Sequence, residues 1–316
     1  MNAFKVLNGG PQTTVQDTGR PALRRYGIPS SGAMDQFSHR VANRLAANPE
    51  NAATLEIMLF GFTVEAMTSL TLAIAGGDLG ARLNDQPAPL WTPIGIKPGD
   101  RLSFTGLQSG CRAYLAVGGG FGAPEFLGSR STFLKGHIGS AIKTGDLLSA
   151  GQSGNASAPL RPALPEPLRR PLPPSYTIRV ILGPQTEAFT ARGLETFLHS
   201  SYAVSPRSDR QGIRTEGPAI ETVKGPDIIT DPTPLGAIQV PGDGRPIILH
   251  RDGQVTGGYA KIATVISADL DWFGQMMAGD ALRFQAVTRD EALGLARQYR
   301  QRLSAVAEWL GNPSRA

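Results

Sequence analysis

The sequence predicts a mainly β protein built as two tandem barrel-type domains with a few helices, and three observations carry that prediction. Short runs rich in β-branched and aromatic residues, bounded by Gly, Asn, Asp and Pro, recur in both halves. Three segments, PGDRLSF at 98–104, TGDLLSA at 144–150 and AGDALRF at 278–284, share a Gly-Asp turn feeding a strand, a repeat typical of closed barrels. A stretch at 153–175 is rich in Pro, Ser and Ala, has no hydrophobic period, and reads as an extended, exposed linker. The expected division is 1–152, a linker at 153–175, and 176–316.

In the first half, residues 54–66, 70–75, 101–105 and 112–117 read as strands. Residues 33–46 differ: Met34, Phe37, Val41 and Leu45 fall on one helical stripe. Asn48-Pro49 predicts where that helix stops, because a residue before proline avoids the helical region. Ser30 or Ser31 is the expected N-cap, with Asp35 in the first turn, where the helix dipole favours a carboxylate. In the second half, strands are expected at 176–182, 236–240, 246–250 and 261–266. A helix over 186–199 would turn Phe189, Phe197 and Leu198 inward. A last helix spans 289–310, opened by a capping box of Thr288 and Glu291.

Composition removes several function classes. With 41% hydrophobic and 18% charged residues over 316 positions, the chain can bury a core. The net charge of +5 comes from basic residues scattered along the chain without interleaved aromatics, so no nucleic-acid partner is expected. It suits solubility, or attraction of an anionic substrate. No run approaches the roughly 20 apolar residues that cross a bilayer, so no membrane partner is expected. A single cysteine, Cys111, and an N-terminus without an apolar signal core predict a cytoplasmic protein. No GxxxxGK[ST] or GxSxG is present, and His39, His137, His199 and His250 lack metal-ligand spacing, so no metal site is expected.

Chemistry must then rest on carboxylates, arginines, hydroxyls and amides. The non-periodic stretch VQDTGRPALRRYGIPSSGAMD at 15–35 is long for a compact domain and is a candidate functional loop, or a turn fixed by an Asp17–Arg20 pair. SPRSDRQGIR at 205–214 packs Arg207, Asp209, Arg210 and Arg214 into ten positions and could grip a carboxylate or phosphate, or be a solvated loop. Between two apolar strands, Asp252, Gln254, Thr256, Tyr259 and Lys261 crowd around Gly253, Gly257 and Gly258. Glycines let a ligand approach the backbone, and the flanking groups both donate and accept.

These segments resemble one family. VQDTGR at 15–20, GIPSSGAMD at 27–35, LEIMLFG at 55–61, RAYLAVGGG at 112–120, LGSRST at 127–132, SDRQGIR at 208–214, GAIQVPGDGRPI at 236–247 and TGGYAKIATVISADL at 256–270 are similar, in order, to the biotin-dependent-carboxyltransferase-like proteins. That family was once described as allophanate hydrolase subunit 2 and includes the C subunit of 5-oxoprolinase. The chain departs from it at Ala260, where proline is usual, at Thr230-Asp231 in place of Ser-Glu, and at His137-Ile138 and Ser140-Ala141. The resemblance implies two tandem cyclophilin-like β-barrels and a component of an ATP-dependent complex that opens 5-oxoproline to L-glutamate with 5-oxoprolinase subunits B and A, the first of these directly. On the matched motifs, Asp209, Arg210, Asp252, Tyr259 and Lys261 are catalytic candidates. Arg20, Ser31, Asp35, Arg214, Gln239, Gln254 and Thr256 are substrate-binding candidates, with Arg20 on the substrate carboxylate. The arginine loop and the loop at 252–261 are expected to converge on one cleft. The alternatives are a carboxyltransferase using biotin to carboxylate urea or a related amide, and a non-catalytic regulator that binds a kinase-inhibitor-like partner.

Overall fold

The computed structural model describes residues 2–151 and 160–311. They group into two compact units, neither continuous in sequence: Met1–Arg20, Ser31–Leu172 and Gln301–Ala316 form the first, Pro21–Ser30 and Pro173–Arg300 the second. The expected mainly β class with few helices holds.

In the first unit the strands form two antiparallel sheets. The larger runs Phe121–Gly122, Leu147–Ala150, Asn2–Asn8, Thr63–Ala66, Arg101–Phe104, Ala81–Leu83, Gln86–Pro87. The smaller runs Gln12–Gln16, Thr54–Met58, Ser109–Val117, Leu70–Asp78, Pro93–Ile96. One core joins them, with Phe4, Phe62, Val64 and Phe104 from the larger sheet or its turns against Leu55, Ile57, Leu72, Ile74 and Leu115 from the smaller. The apolar run 54–66 is therefore two strands in two sheets, broken where Leu59 (φ 68°) and Gly61 (φ 86°) turn left-handed.

Helix α1 (Gln36–Leu45) packs on the strands Leu70–Asp78 and Ser109–Val117, so the latter is buried along most of its length and reads as a continuous apolar run. Its N-cap is Asp35, which accepts from the Ser38 N–H at 3.0 Å and the Ser38 hydroxyl at 2.6 Å. Ser31 cannot serve as that cap: its φ of 51° is far from the extended conformation an N-cap adopts.

The second unit is a closed barrel in the order Tyr176–Leu182, Lys261–Val265, Ala237–Gln239, Ile247–Leu249, Gly212–Glu216, Tyr202–Val204, Ala281–Ala286. The last strand closes the ring by pairing in parallel with the first. A separate two-stranded ribbon joins Asp227–Pro232 to Thr256–Tyr259. The helix expected over 186–199 is a 3-10 turn, Thr186–Ala188, and then α2 (Ala191–His199), because Phe189 is extended between them. Thr190 caps α2 through the Gly193 N–H at 2.9 Å, and Phe197 stacks on Phe284 at 4.5 Å. Helix α3 (Arg289–Gly311) opens with the expected box: the Glu291 N–H donates to the Thr288 hydroxyl, and the Thr288 N–H donates to the Glu291 carboxylate at 2.7 Å.

The three Gly-Asp segments adopt one geometry. Gly99, Gly145 and Gly279 have φ of 89°, 93° and 92°. Asp100, Asp146 and Asp280 each accept a backbone N–H three residues upstream, from Lys97, Lys143 and Met277, at 2.9, 2.8 and 2.8 Å.

Part of the expected linker, 152–159, lies outside the described residues. Where it is described it is held rather than bare. Leu164 is fully buried and its N–H donates to the Trp91 carbonyl at 2.8 Å. Arg161 reaches the Leu310 carbonyl at 3.0 Å, and Arg302 reaches that of Arg169 at 2.8 Å. Proline keeps such a segment extended, and its unpaired carbonyls accept from α3. Among the described residues no helix is long and apolar enough to cross a membrane.

Candidate functional site

The matched segments of the first unit meet in one buried polar network. Asp17 accepts from the Gly19 N–H at 2.7 Å, the Arg130 N–H at 2.7 Å and the hydroxyls of Ser129 and Ser131. Burial opposes ionisation of Asp17, but these hydrogen bonds outweigh it and hold the carboxyl below its usual range. Arg20 donates to the carbonyls of Phe126, Ser129 and Ser131, the last at 2.7 Å. VQDTGR is thus a clasp around LGSRST. Arg20 is committed to that clasp, so the structure does not support its expected role on a substrate carboxylate.

GIPSSGAMD locks onto the same core. Gly32 has φ of 90°, and a Cβ there would lie 2.8 Å from the Gly19 nitrogen, so only glycine lets these two backbones meet. The Met34 N–H donates to Glu56 and the Asp35 N–H to the Tyr114 hydroxyl, which itself donates to Glu56, each at 2.8 Å. Full burial, with Glu56 and Asp35 beside it, pushes the Tyr114 phenol well above its ordinary value. Asp35 is therefore a cap and a framework residue. Ser31 is buried, and its hydroxyl has no hydrogen-bond partner among the described residues. Elsewhere in this unit a cavity of about 540 Å³ is lined by Val15, Phe126, Arg130, Thr132, His137 and Leu148 among others, and by none of the sequence-predicted site residues.

In the second unit the two expected loops do meet, through Arg210 and Asp252. The Arg210 guanidinium donates to both carboxylate oxygens of Asp252, at 2.8 and 3.3 Å, and both side chains are buried. The Asp252 N–H also donates to the Arg210 carbonyl at 2.9 Å. Asp209 caps its own turn, accepting from the N–H groups of Gln211 and Gly212 at 2.8 and 3.1 Å. Arg214 is exposed on its strand. The arginine loop is therefore a folded turn pinned to Asp252. It is not the cluster of ligand-facing cations that residue type suggests.

Lys261 stands apart from that pair. Its side chain is 1% exposed, and Nζ lies 2.6 Å from the carboxylate of Asp231 on the ribbon. That contact holds the Asp231 carboxyl below its usual range. Gln185 also reaches Asp231, at 3.2 Å, and accepts from the Lys261 N–H at 3.0 Å. Gln239, the strand partner of Lys261, donates to the Tyr259 carbonyl at 3.2 Å and accepts from the Gln254 amide at 3.2 Å. The close fit of the ribbon explains Gly257, where a Cβ would lie 2.5 Å from the Gln239 amide nitrogen. Tyr259, Gln254 and Thr256 are solvent-facing.

Lys261, Gln239, Gln254 and Tyr259 thus come together, while Asp209, Arg210 and Asp252 serve the neighbouring turn. Sequence reasoning missed Asp231 and Gln185. Asp231 stands at the Thr230-Asp231 departure from the family pattern, and that was its one signal. Gln185 had none. Among the described residues no group of three or more His, Cys, Asp or Glu side chains is arranged to hold a metal ion.

The chain is similar to known proteins over nearly its whole length. The profile of the family described as carboxyltransferase domain, subdomain A and B, matches residues 26–286. The C subunit of 5-oxoprolinase from Escherichia coli (strain K12) is 36% identical over 312 residues, covering 97% of this chain and 98% of that protein. The urea amidolyase of Lachancea kluyveri is also 36% identical, over 98% of this chain, but the chain spans only 18% of that protein. The crystal structure of the K. lactis urea amidolyase matches with a TM-score of 0.90 at 32% identity, over 98% of this chain and 20% of that one. With most of its length matched in both profile and relatives, the chain belongs to the carboxyltransferase domain family, subdomains A and B.

Proposed function

We propose that the chain is the C subunit of an ATP-dependent, cytoplasmic 5-oxoprolinase, working with subunits B and A to open the lactam of 5-oxoproline to L-glutamate. The near full-length similarity to the C subunit of 5-oxoprolinase supports the reading, and the setting of Lys261 is the observation that carries it. An ammonium has three donors. Among the described residues the one acceptor of Lys261 is Asp231, so two N–H groups remain for a ligand oxygen. A lactam resists attack because its carbonyl is stabilised by resonance with nitrogen. When water adds, negative charge gathers on the carbonyl oxygen, and a buried cation already held in place stabilises that charge without reorganising. The C–N bond then breaks and the ring nitrogen takes up a proton. Asp231 holds the Lys261 ammonium in place, while the Gln239 and Gln254 amides offer both donors and acceptors beside it. ATP is a cofactor of the complex in this reading. The chain carries no GxxxxGK[ST], and no step on it is routed through the nucleotide.

The similarity to urea amidolyase favours a second reading, a carboxyltransferase using biotin to carboxylate urea or a related amide. One experiment separates the two. The chain, purified with subunits B and A, should release glutamate from 5-oxoproline in the presence of ATP. Carboxylation of urea by carboxybiotin, without glutamate release, would replace the first reading with the second.

A further inference from the structure

Four buried or half-buried cations of the second unit have a carboxylate partner. Arg210 has Asp252, Lys261 has Asp231, Arg179 has Asp269, and Arg251 lies 3.8 Å from Asp271. Arg24 breaks the pattern. It lies on the 3-10 turn Pro21–Tyr26, which belongs to this unit. Its Nη2 donates to the backbone carbonyl of Thr233 and, at 3.3 Å, to that of Gln254. Its Nη1 is buried and has no hydrogen-bond acceptor among the described residues. No Asp or Glu among them pairs with it. Burial pulls the guanidinium below its ordinary pKa, but an arginine stays charged in any protein.

A half-buried cation with no counter-charge and one buried nitrogen without an acceptor is costly, and the group that removes both costs at once is an anion. The planar fork of a guanidinium matches a carboxylate. The position matters as well. Gln254, whose carbonyl Arg24 holds, donates its amide to Gln239, the strand partner of Lys261. Hydrogen bonds thus link Arg24 through Gln254 to Gln239, which lies beside Lys261 on the neighbouring strand.

We propose that Arg24 is the residue that recognises a ligand carboxylate, so that the site takes a small amide carrying a carboxylate, with its carbonyl toward Lys261 and its carboxylate toward Arg24. The amide half of this statement rests on the function proposed above, and the carboxylate half does not. Arg24 thereby takes the role that residue type alone would give Arg20.

The test is titration of the full chain, wild type and variants, with L-5-oxoproline and with 2-pyrrolidinone, the same lactam without the carboxylate. Wild type should bind 5-oxoproline at least about tenfold more tightly. Arg24→Met should abolish that preference and leave 2-pyrrolidinone unchanged, and Arg24→Lys, which keeps the charge but loses the fork, should restore part of it. Matched thermal unfolding of the variants controls for folding. A preference that survives Arg24→Met, or its absence in a wild type that binds both lactams, overturns the proposal. Acetate and L-glutamate separate this outcome from failure of the lactam reading. If neither lactam binds but these carboxylates bind in an Arg24-dependent way, the carboxylate site stands and the lactam reading falls. If no carboxylate binds, the Arg24 proposal falls.

Discussion

Arg210 and Lys261 both read from the sequence as cations for a ligand, and their surroundings divide them. Arg210 is saturated by Asp252, a residue 42 positions away, and a contact of that separation leaves no trace in local spacing. Arg210→Ala would leave Asp252 buried without its partner and should destabilise the unit by about 3–5 kcal/mol, read as a lower denaturation midpoint. A selective loss of activity with unchanged stability would contradict this. Lys261→Met removes a donor aimed at a developing oxyanion and should slow glutamate release about a hundredfold, near 3 kcal/mol, in a complex that still assembles. Asp17 makes a different prediction. Its folded pKa lies below the unfolded value, so its stabilisation is complete above the unfolded carboxylate range and is lost as the pH falls through the folded pKa. Asp17→Asn should therefore lower the denaturation midpoint near neutral pH and flatten its decline under acid conditions. Arg24 and Asp231 were illegible for the reason that hid the partner of Arg210: what distinguishes them is the presence or absence of a distant counter-charge.

The elements follow the same division between local and distant information. The stripe of Met34, Phe37, Val41 and Leu45 was enough to reveal α1, because helical period is a property of neighbours. Its cap was displaced because the backbone is left-handed at Ser31 and at Gly32, and Gly32 fits against Gly19, a contact the sequence does not display. Asn2–Asn8 escaped detection as a strand for a related reason. Register shifts on both its edges break the alternation, and its burial runs exposed, buried, buried, exposed. The capping box of α3 was legible because all its atoms lie within four residues. Thr288→Ala should cost about 1 kcal/mol, since two N–H groups lose order together, and urea unfolding of the full chain would register it.

At the scale of the whole molecule, composition located a proline-rich division but not how its described part is held, since Leu164 and its neighbours are covered by groups far along the chain. Nor could it show that each unit draws on more than one stretch of sequence. The three Gly-Asp turns gain a use from this arrangement. At Gly99, Gly145 and Gly279 a Cβ would meet no atom within 4 Å, so alanine at any of them adds backbone strain and no collision. By the steric cost of left-handed backbone, each substitution should remove roughly 1–2 kcal/mol. Gly99 and Gly145 lie in one unit and Gly279 in the other, so the same perturbation can be applied as an internal replicate on either side. If the molecule melts as one cooperative system, all three alanines will displace a single transition by similar amounts. If the units melt independently, calorimetry will show Gly99→Ala and Gly145→Ala moving one peak while Gly279→Ala moves another, and any shift of the second peak by a substitution in the first unit will measure the thermodynamic coupling between the units.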